Sequence, residues 1–110
     1  MKNIIIIGAG QLGSRHLQGV LKYNKEQLSI FISDPSDEAL QMAKGRASEI
    51  ENIHDLHFIN QSNHFPKKAE VAIVATNSNV RELVTFDLLE KTSLKYIILE
   101  KVLFQDIAAY

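Results

Sequence analysis

Residues 4–13 read Ile-Ile-Ile-Ile-Gly-Ala-Gly-Gln-Leu-Gly and decide the fold of this chain. Four consecutive β-branched residues are typical of a strand that is buried on both faces. The glycines that follow, Gly8, Gly10 and Gly13, are spaced as G-x-G-x-x-G. A helical pattern continues to about residue 23, with Gly13 on its inward face. The stretch therefore predicts a strand, a tight turn and a helix.

The rest of the chain continues this alternation of strand and helix patterns. Residues 49–68 are the least informative, and Pro66 argues against a long helix there. We predict further strands at residues 28–33, 56–59, 71–75 and 96–99, helices that start at 34–37 and near Val80, and a last segment, 103–110, that could begin another helix.

Strands that alternate with helices predict an α/β fold with a parallel sheet and right-handed crossovers. The expected architecture is a Rossmann-type doubly wound sheet of about five strands, whose usual strand order is 3-2-1-4-5-6. Because the sequence given stops where the last crossover helix would start, we expect a sheet that is truncated before its last strand. Residues 1–110 are then a single domain of a longer protein. An open sheet edge would make a homo-oligomer possible.

Composition excludes several classes of function. The chain has 110 residues, 45% of them apolar, and a net charge of −1 without a basic block, so neither a nucleic-acid nor a membrane partner is predicted. No apolar run is long enough for a signal peptide or a membrane span. The absence of cysteine excludes disulfide and thiolate chemistry and fits a cytoplasmic location.

Each glycine of the motif has its own physical role in binding a dinucleotide. Gly8 permits the tight turn, Gly10 lets the backbone approach a pyrophosphate, and Gly13 lets the helix pack on the strand. The N–H groups near Gln11 and Leu12 lack partners within the helix and would point at the phosphates. The motif lacks the Gly-Lys-Ser/Thr ending of a P-loop. A plain strand–helix turn is the alternative interpretation.

Asp34 is the second element of the predicted site. It ends the second strand, 21 residues after Gly13, close to the offset of about 20 expected for an acid that binds the adenosine ribose. Its carboxylate would repel a 2′-phosphate, and Pro35 and Ser36 follow it rather than a basic residue. The cofactor predicted is therefore NAD, with NADP less favoured. The alternative is that Asp34 only caps the next helix, and the two roles could coexist.

With these residues named, the chain resembles the N-terminal NAD(P)-binding domain of the GFO/IDH/MocA oxidoreductases. The resemblance covers nearly the whole chain. It rests on the G-x-G-x-x-G-x-x-H stretch from Gly8 to His16, the pairs Asp34-Pro35 and Ala75-Thr76, and above all Glu100-Lys101 at the end of the fifth strand. Asn77 and Val102 stand where the family has proline. Since valine adopts a cis peptide at a cost of about 3 kcal/mol, Lys101 could be aimed differently here.

The resemblance implies roles for residues at three strand ends. Lys101 would sit near the nicotinamide and the reacting carbon, and Glu100 would orient it and contact the cofactor. Pro35 would lie beside the ribose, and Ala75, Thr76 and Asn77 would line the cofactor. A substrate pocket with a catalytic histidine would belong to a second domain, absent here. The alternative for Glu100 and Lys101 is a solvated charge pair.

Two classes of function remain open from the sequence. The first is the NAD-binding domain of an NAD-dependent oxidoreductase that transfers hydride to or from a sugar, a polyol or a related small substrate, inactive by itself. The second is an NAD-sensing regulatory module, which has no need of Glu100-Lys101; a methyltransferase fits less well. No metal site is predicted, since His54, His57 and His64 read as surface or edge residues, and His16 reads as structural.

Overall fold

A computed structural model describes residues 1–8, 11–60, 65–76 and 78–99 of the chain. In these ranges strands and helices alternate along the chain. The elements are β1 (Lys2–Ile7), α1 (Gln11–Leu21), β2 (Leu28–Ser33), α2 (Asp37–Ser48), β3 (Asp55–Ile59), β4 (Lys68–Val74), α3 (Ser78–Lys91) and β5 (Ser93–Leu99).

The five strands form one parallel sheet in the order β3-β2-β1-β4-β5. Ile4 of β1 pairs with Ile30 of β2 on one side and with Val71 of β4 on the other. The chain adds β2 and β3 to one side of β1, then returns to add β4 and β5 to the other side. This order confirms the predicted doubly wound sheet, and it places the reversal of strand order between β1 and β4.

Strand β1 supplies alternate residues to two cores, one on each face of the sheet. Ile4 and Ile6 pack in the core that contains α1 and α2, whereas Ile5 and Ile7 pack in the core that contains Leu88 of α3. Ile5 and Ile6 are fully buried. Burial on both faces is therefore the physical reason for the unbroken run of isoleucine, as predicted.

Strands β4 and β5 begin earlier than the apolar runs that predicted them. Strand β4 begins at Lys68 rather than at residue 71, and β5 begins at Ser93 rather than at residue 96. Lys68 pairs with Ser93, and the Asn3 side-chain amide donates to the Lys68 carbonyl at 2.9 Å. Polar residues thus extend the ladder at its amino end, where hydropathy carries no strand signal.

Two helix starts can be compared with their predictions. Helix α2 begins at Asp37, within the predicted range 34–37, and its N-cap is Ser36, whose Oγ accepts the Ala39 N–H at 3.2 Å. Helix α3 begins at Ser78, two residues before the predicted start near Val80. The predicted last segment, 103–110, lies outside the described residues.

The histidines before and within β3 lie near the predicted edge of the sheet. His54 is half-buried: its Nδ1 accepts the Leu28 N–H at 3.0 Å and its Nε2 lies 2.6 Å from the Tyr23 carbonyl oxygen. Only the neutral form protonated at Nε2 can make both bonds. His54, in the segment before β3, therefore links the start of β2 to Tyr23 at the amino ends of the strands, which is a structural role.

Strand β5 forms the opposite edge of the described sheet, and its apolar side chains are exposed to solvent. Tyr96 is 68% exposed and Ile98 is 46% exposed, although they pair with Val71 and Ile73 of the neighbouring strand. Self-association through this edge stays a prediction.

Candidate functional site

Backbone hydrogen bonds tie together the carboxyl ends of β1, β2 and β4. The Gly8 N–H donates to the Ser33 carbonyl at 2.8 Å, and the Ala75 N–H donates to the Ile7 carbonyl at 2.8 Å. Both bonds extend the strand ladders by one residue, so the glycine turn lies between the ends of β2 and β4. In an open α/β sheet, the edge beside the reversal of strand order is where ligands bind.

Gly8 makes a turn that a residue with a side chain could not make without strain. Its φ is +99°, in the region that L side chains rarely adopt. A Cβ at this position would also lie 2.7 Å from the Ala75 carbonyl oxygen. Conformation and space therefore both require glycine where the chain leaves β1.

Gly13 allows α1 to press directly against that turn. A Cβ at Gly13 would overlap the carbonyl oxygen of Gly8. This is the close helix–strand contact that the sequence predicts for the third glycine of the motif. The contact fixes the first turn of α1 at the carboxyl edge of the sheet.

The amino terminus of α1 is chemically different from that of α2. The first turn of α2 carries Asp37 and Glu38, and its N-cap is Ser36, so its free N–H groups already meet oxygen and negative charge. The first turn of α1 carries no acid, and the residue before it, Gly10, has no side chain. Helix α1 therefore presents the positive end of its dipole to the sheet edge without an acidic side chain in its first turn, which suits an anion.

Asp34 shapes the turn that follows β2. Its Oδ1 accepts the Ser36 N–H at 2.8 Å, and its own N–H donates to the Ile59 carbonyl at 3.2 Å. Because Ser36 is the N-cap of α2, the interpretation of Asp34 as that cap is wrong. The carboxylate instead remains half-buried at the end of β2, beside the edge where Gly8 lies.

Thr76, after β4, carries an unpaired polar atom at the same edge. Its Oγ1 is buried and has no hydrogen-bond partner among the described residues. Its backbone nitrogen lies 3.4 Å from where a Cβ on Gly8 would stand. Buried hydroxyl groups are nearly always hydrogen-bonded, so this one suits a polar group that binds beside the glycine turn.

A cavity of about 260 Å³ is lined by Ser33 and Pro35, the residues on either side of Asp34 in the chain. Its walls combine the ends of β1 and β2, the segment before β4, and α3. The lining residues are Ile7, Ser33, Pro35, Asn60, Phe65, Val84 and Asp87. Sequence reasoning did not find Phe65 or Val84 as site residues, since Phe65 falls in the stretch without a clear pattern and Val84 reads only as part of a helix stripe.

The structure thus brings together Gly8, Gly13, Asp34, Pro35, Ala75 and Thr76, with Gln11 and Leu12 at the start of α1. The other predicted site residues, Gly10, Asn77, Glu100 and Lys101, lie outside the described residues, as do His64 and Val102.

Within the described ranges, no group of three or more His, Asp or Glu side chains is placed to hold a metal ion. None of the helices there is long and apolar enough to cross a bilayer.

Comparison with known proteins places the chain in a family. A search of curated proteins finds no match. A family model described as "Oxidoreductase family, NAD-binding Rossmann fold" matches residues 2–109. The match covers almost the whole chain and agrees with the five-stranded parallel sheet and its glycine turn. We conclude that this chain belongs to the GFO/IDH/MocA oxidoreductase family and is its NAD-binding Rossmann domain.

Proposed function

We propose that this domain holds NAD for hydride transfer to or from a sugar, a polyol or a related small substrate. The observation that carries the proposal is the packing of α1 on Gly8, which places the amino terminus of α1, with no acid in its first turn, at the sheet edge where Asp34 follows β2. Bound NAD would supply the hydride acceptor. The protein would supply binding and orientation.

Each described site residue then has a task that its geometry supports. The backbone N–H groups at the start of α1 bind the pyrophosphate. The Asp34 carboxylate accepts hydrogen bonds from the adenosine ribose, while its bond to Ser36 holds the turn in shape. The Thr76 hydroxyl pairs with a polar group of the cofactor. The cavity beside Asp34, with its apolar walls, suits a purine ring.

Preference for NAD over NADP follows from charge. A 2′-phosphate would stand beside the Asp34 carboxylate, and the next two residues, Pro35 and Ser36, offer no cation to offset it. We therefore propose that NADPH binds more weakly than NADH.

The reacting end of the cofactor would meet Lys101. By family resemblance its ammonium hydrogen-bonds the substrate hydroxyl and stabilises developing alkoxide charge, and Glu100 orients it. The same resemblance assigns substrate recognition and a catalytic histidine to a second domain. We therefore expect the 110-residue chain to bind NADH without turning over a sugar.

Titration of the chain with NADH and NADPH, followed by NADH fluorescence and calorimetry, tests the proposal. Asp34→Asn is the informative variant, because an amide oxygen can still accept the Ser36 N–H while the negative charge is lost. We expect NADH affinity to fall about tenfold or more, as for loss of a charged hydrogen bond, and the preference over NADPH to narrow. Asp37→Asn removes an acid three residues away and is the matched control. Failure of the wild-type chain to bind NADH would refute the proposal.

A further inference from the structure

Arg46, in the last turn of α2, reaches across to the first turn of α1. Its Nη1 donates to the Oγ of Ser14 at 2.9 Å, and Ser14 is fully buried. In return, the Gln18 side-chain amide of α1 donates to the Arg46 carbonyl at 3.2 Å. Arg46 therefore joins α1 and α2 through both its side chain and its backbone.

The contact between Arg46 and Ser14 lies in the first turn of α1, where an anion would bind. Ser14 follows Gly13, whose α-carbon is pressed against the Gly8 carbonyl. The first turn of α1 is thus held by the sheet on one side and by Arg46 on the other. Loss of either contact would let the backbone donors at the start of α1 tilt away from a bound phosphate.

The positive charge of Arg46 would also favour an anion at the start of α1. A guanidinium stays protonated in proteins. Ser14 lies three residues after Gln11, which is about 4.5 Å along the helix axis, so the guanidinium that binds Ser14 lies beside the first turn of α1. The negative end of α2 stabilises the cation where it stands. An anion at the start of α1 would feel both the helix dipole and this charge.

We propose that Arg46 is a positioning residue for the cofactor pyrophosphate, acting through Ser14 on the first turn of α1. The inference rests on the proposed function, because it needs a dinucleotide at that turn. It goes beyond that function by assigning a role in affinity to a residue of α2, which lies outside the glycine motif and carries no atom of the predicted site.

The test compares a ligand that carries the pyrophosphate with one that has no phosphate. Wild type, Arg46→Met and the control Lys44→Met are titrated with NADH and, by NMR, with adenosine. Lys44 is on the same helix, but its ammonium lies over the Phe58 ring, 5.4 Å from the centroid. We expect Arg46→Met to raise the Kd for NADH about tenfold and the Kd for adenosine less than twofold, and Lys44→Met to change neither by more than twofold.

Ser14→Ala tests the positioning effect of the hydrogen bond separately from the charge of Arg46. It also provides a second test in case Arg46→Met does not fold. It keeps the guanidinium and removes the hydrogen bond, so we expect a rise of about threefold in the Kd for NADH with adenosine unchanged. The inference is overturned if NADH binds Arg46→Met as it binds Lys44→Met, or if Ser14→Ala weakens NADH and adenosine equally. If the wild type does not bind NADH, the proposed function fails instead, so the two failures are distinguishable.

Discussion

Replacing Gly13 with alanine tests the packing on which the whole site depends. The new methyl group would overlap the Gly8 carbonyl oxygen. Since carbon and oxygen atoms in contact stay about 3.3–3.6 Å apart, α1 would have to withdraw from β1 by roughly 2 Å. Forcing extra volume into a packed contact costs about 1–3 kcal/mol, and alanine regains about 1 kcal/mol of helix propensity.

The chain contains a matched control for this substitution. Gly19 lies in the same helix, and a Cβ there would meet nothing within 4 Å. Gly19→Ala should therefore show only the propensity gain, about 0.5–1 kcal/mol of added stability. Because both variants gain the same helix propensity, they should differ by the packing cost alone, roughly 1–3 kcal/mol in free energy of unfolding, or roughly 5–15 °C in Tm for a domain of this size.

Urea unfolding followed by circular dichroism, with a thermal scan of each variant, measures this difference. NADH titration under the same conditions should show weaker binding for Gly13→Ala and unchanged binding for Gly19→Ala. Equal stability of the two variants would refute the reasoning, because it would mean that α1 does not need to approach Gly8 so closely.

Three other predictions concern hydrogen bonds and charges outside the candidate site. Ser36→Ala removes the N-cap of α2 and should cost about 1 kcal/mol in urea unfolding, whereas Ser36→Asp should cost little. His54→Ala leaves the Leu28 N–H without its acceptor and should lower the free energy of unfolding by about 1–3 kcal/mol. Nitrogen-detected NMR of the wild type should show a proton on Nε2 only. A proton on Nδ1 would contradict the hydrogen bond from the Leu28 N–H. The hydrogen bond and charge of Glu26, with smaller contributions from the charges of Glu70 and Tyr23, raise the pKa of Lys2 above its ordinary value of 10.5. Their stabilising effect is present below the ordinary pKa and is lost as pH rises through the raised pKa. Glu26→Gln should therefore reduce this alkaline loss of stability, and an unchanged pH profile of stability would count against it.

Strong local patterns allowed most of the fold to be predicted from the sequence. The unbroken isoleucine run predicts a strand buried on both faces, and the structure has Ile5 and Ile6 fully buried in two different cores. Strand boundaries were less predictable. Lys68 and Ser93 join their strands only because the neighbouring strand pairs with them, and hydropathy does not record pairing.

The site was predictable where one residue type alone can meet the local requirement. The glycine spacing indicated a turn and a close helix contact, and the structure shows a positive φ at Gly8 and an overlap at Gly13. Asp34 could be read as a helix cap or as a ribose ligand. The structure decides against the cap, because the Asp34 carboxylate accepts the Ser36 N–H, whereas the Ser36 hydroxyl accepts the Ala39 N–H and caps α2.

By itself, then, the sequence determined the order of elements, the buried central strand and the glycine turn, since periodicity and backbone freedom are properties of neighbouring residues. Only the tertiary structure decided which residues distant in the chain contact each other. Arg46 reaches Ser14 across 32 positions, and His54 reaches Leu28 across 26. Such contacts depend on how helices and strands pack once the sheet has formed, and no local pattern encodes them.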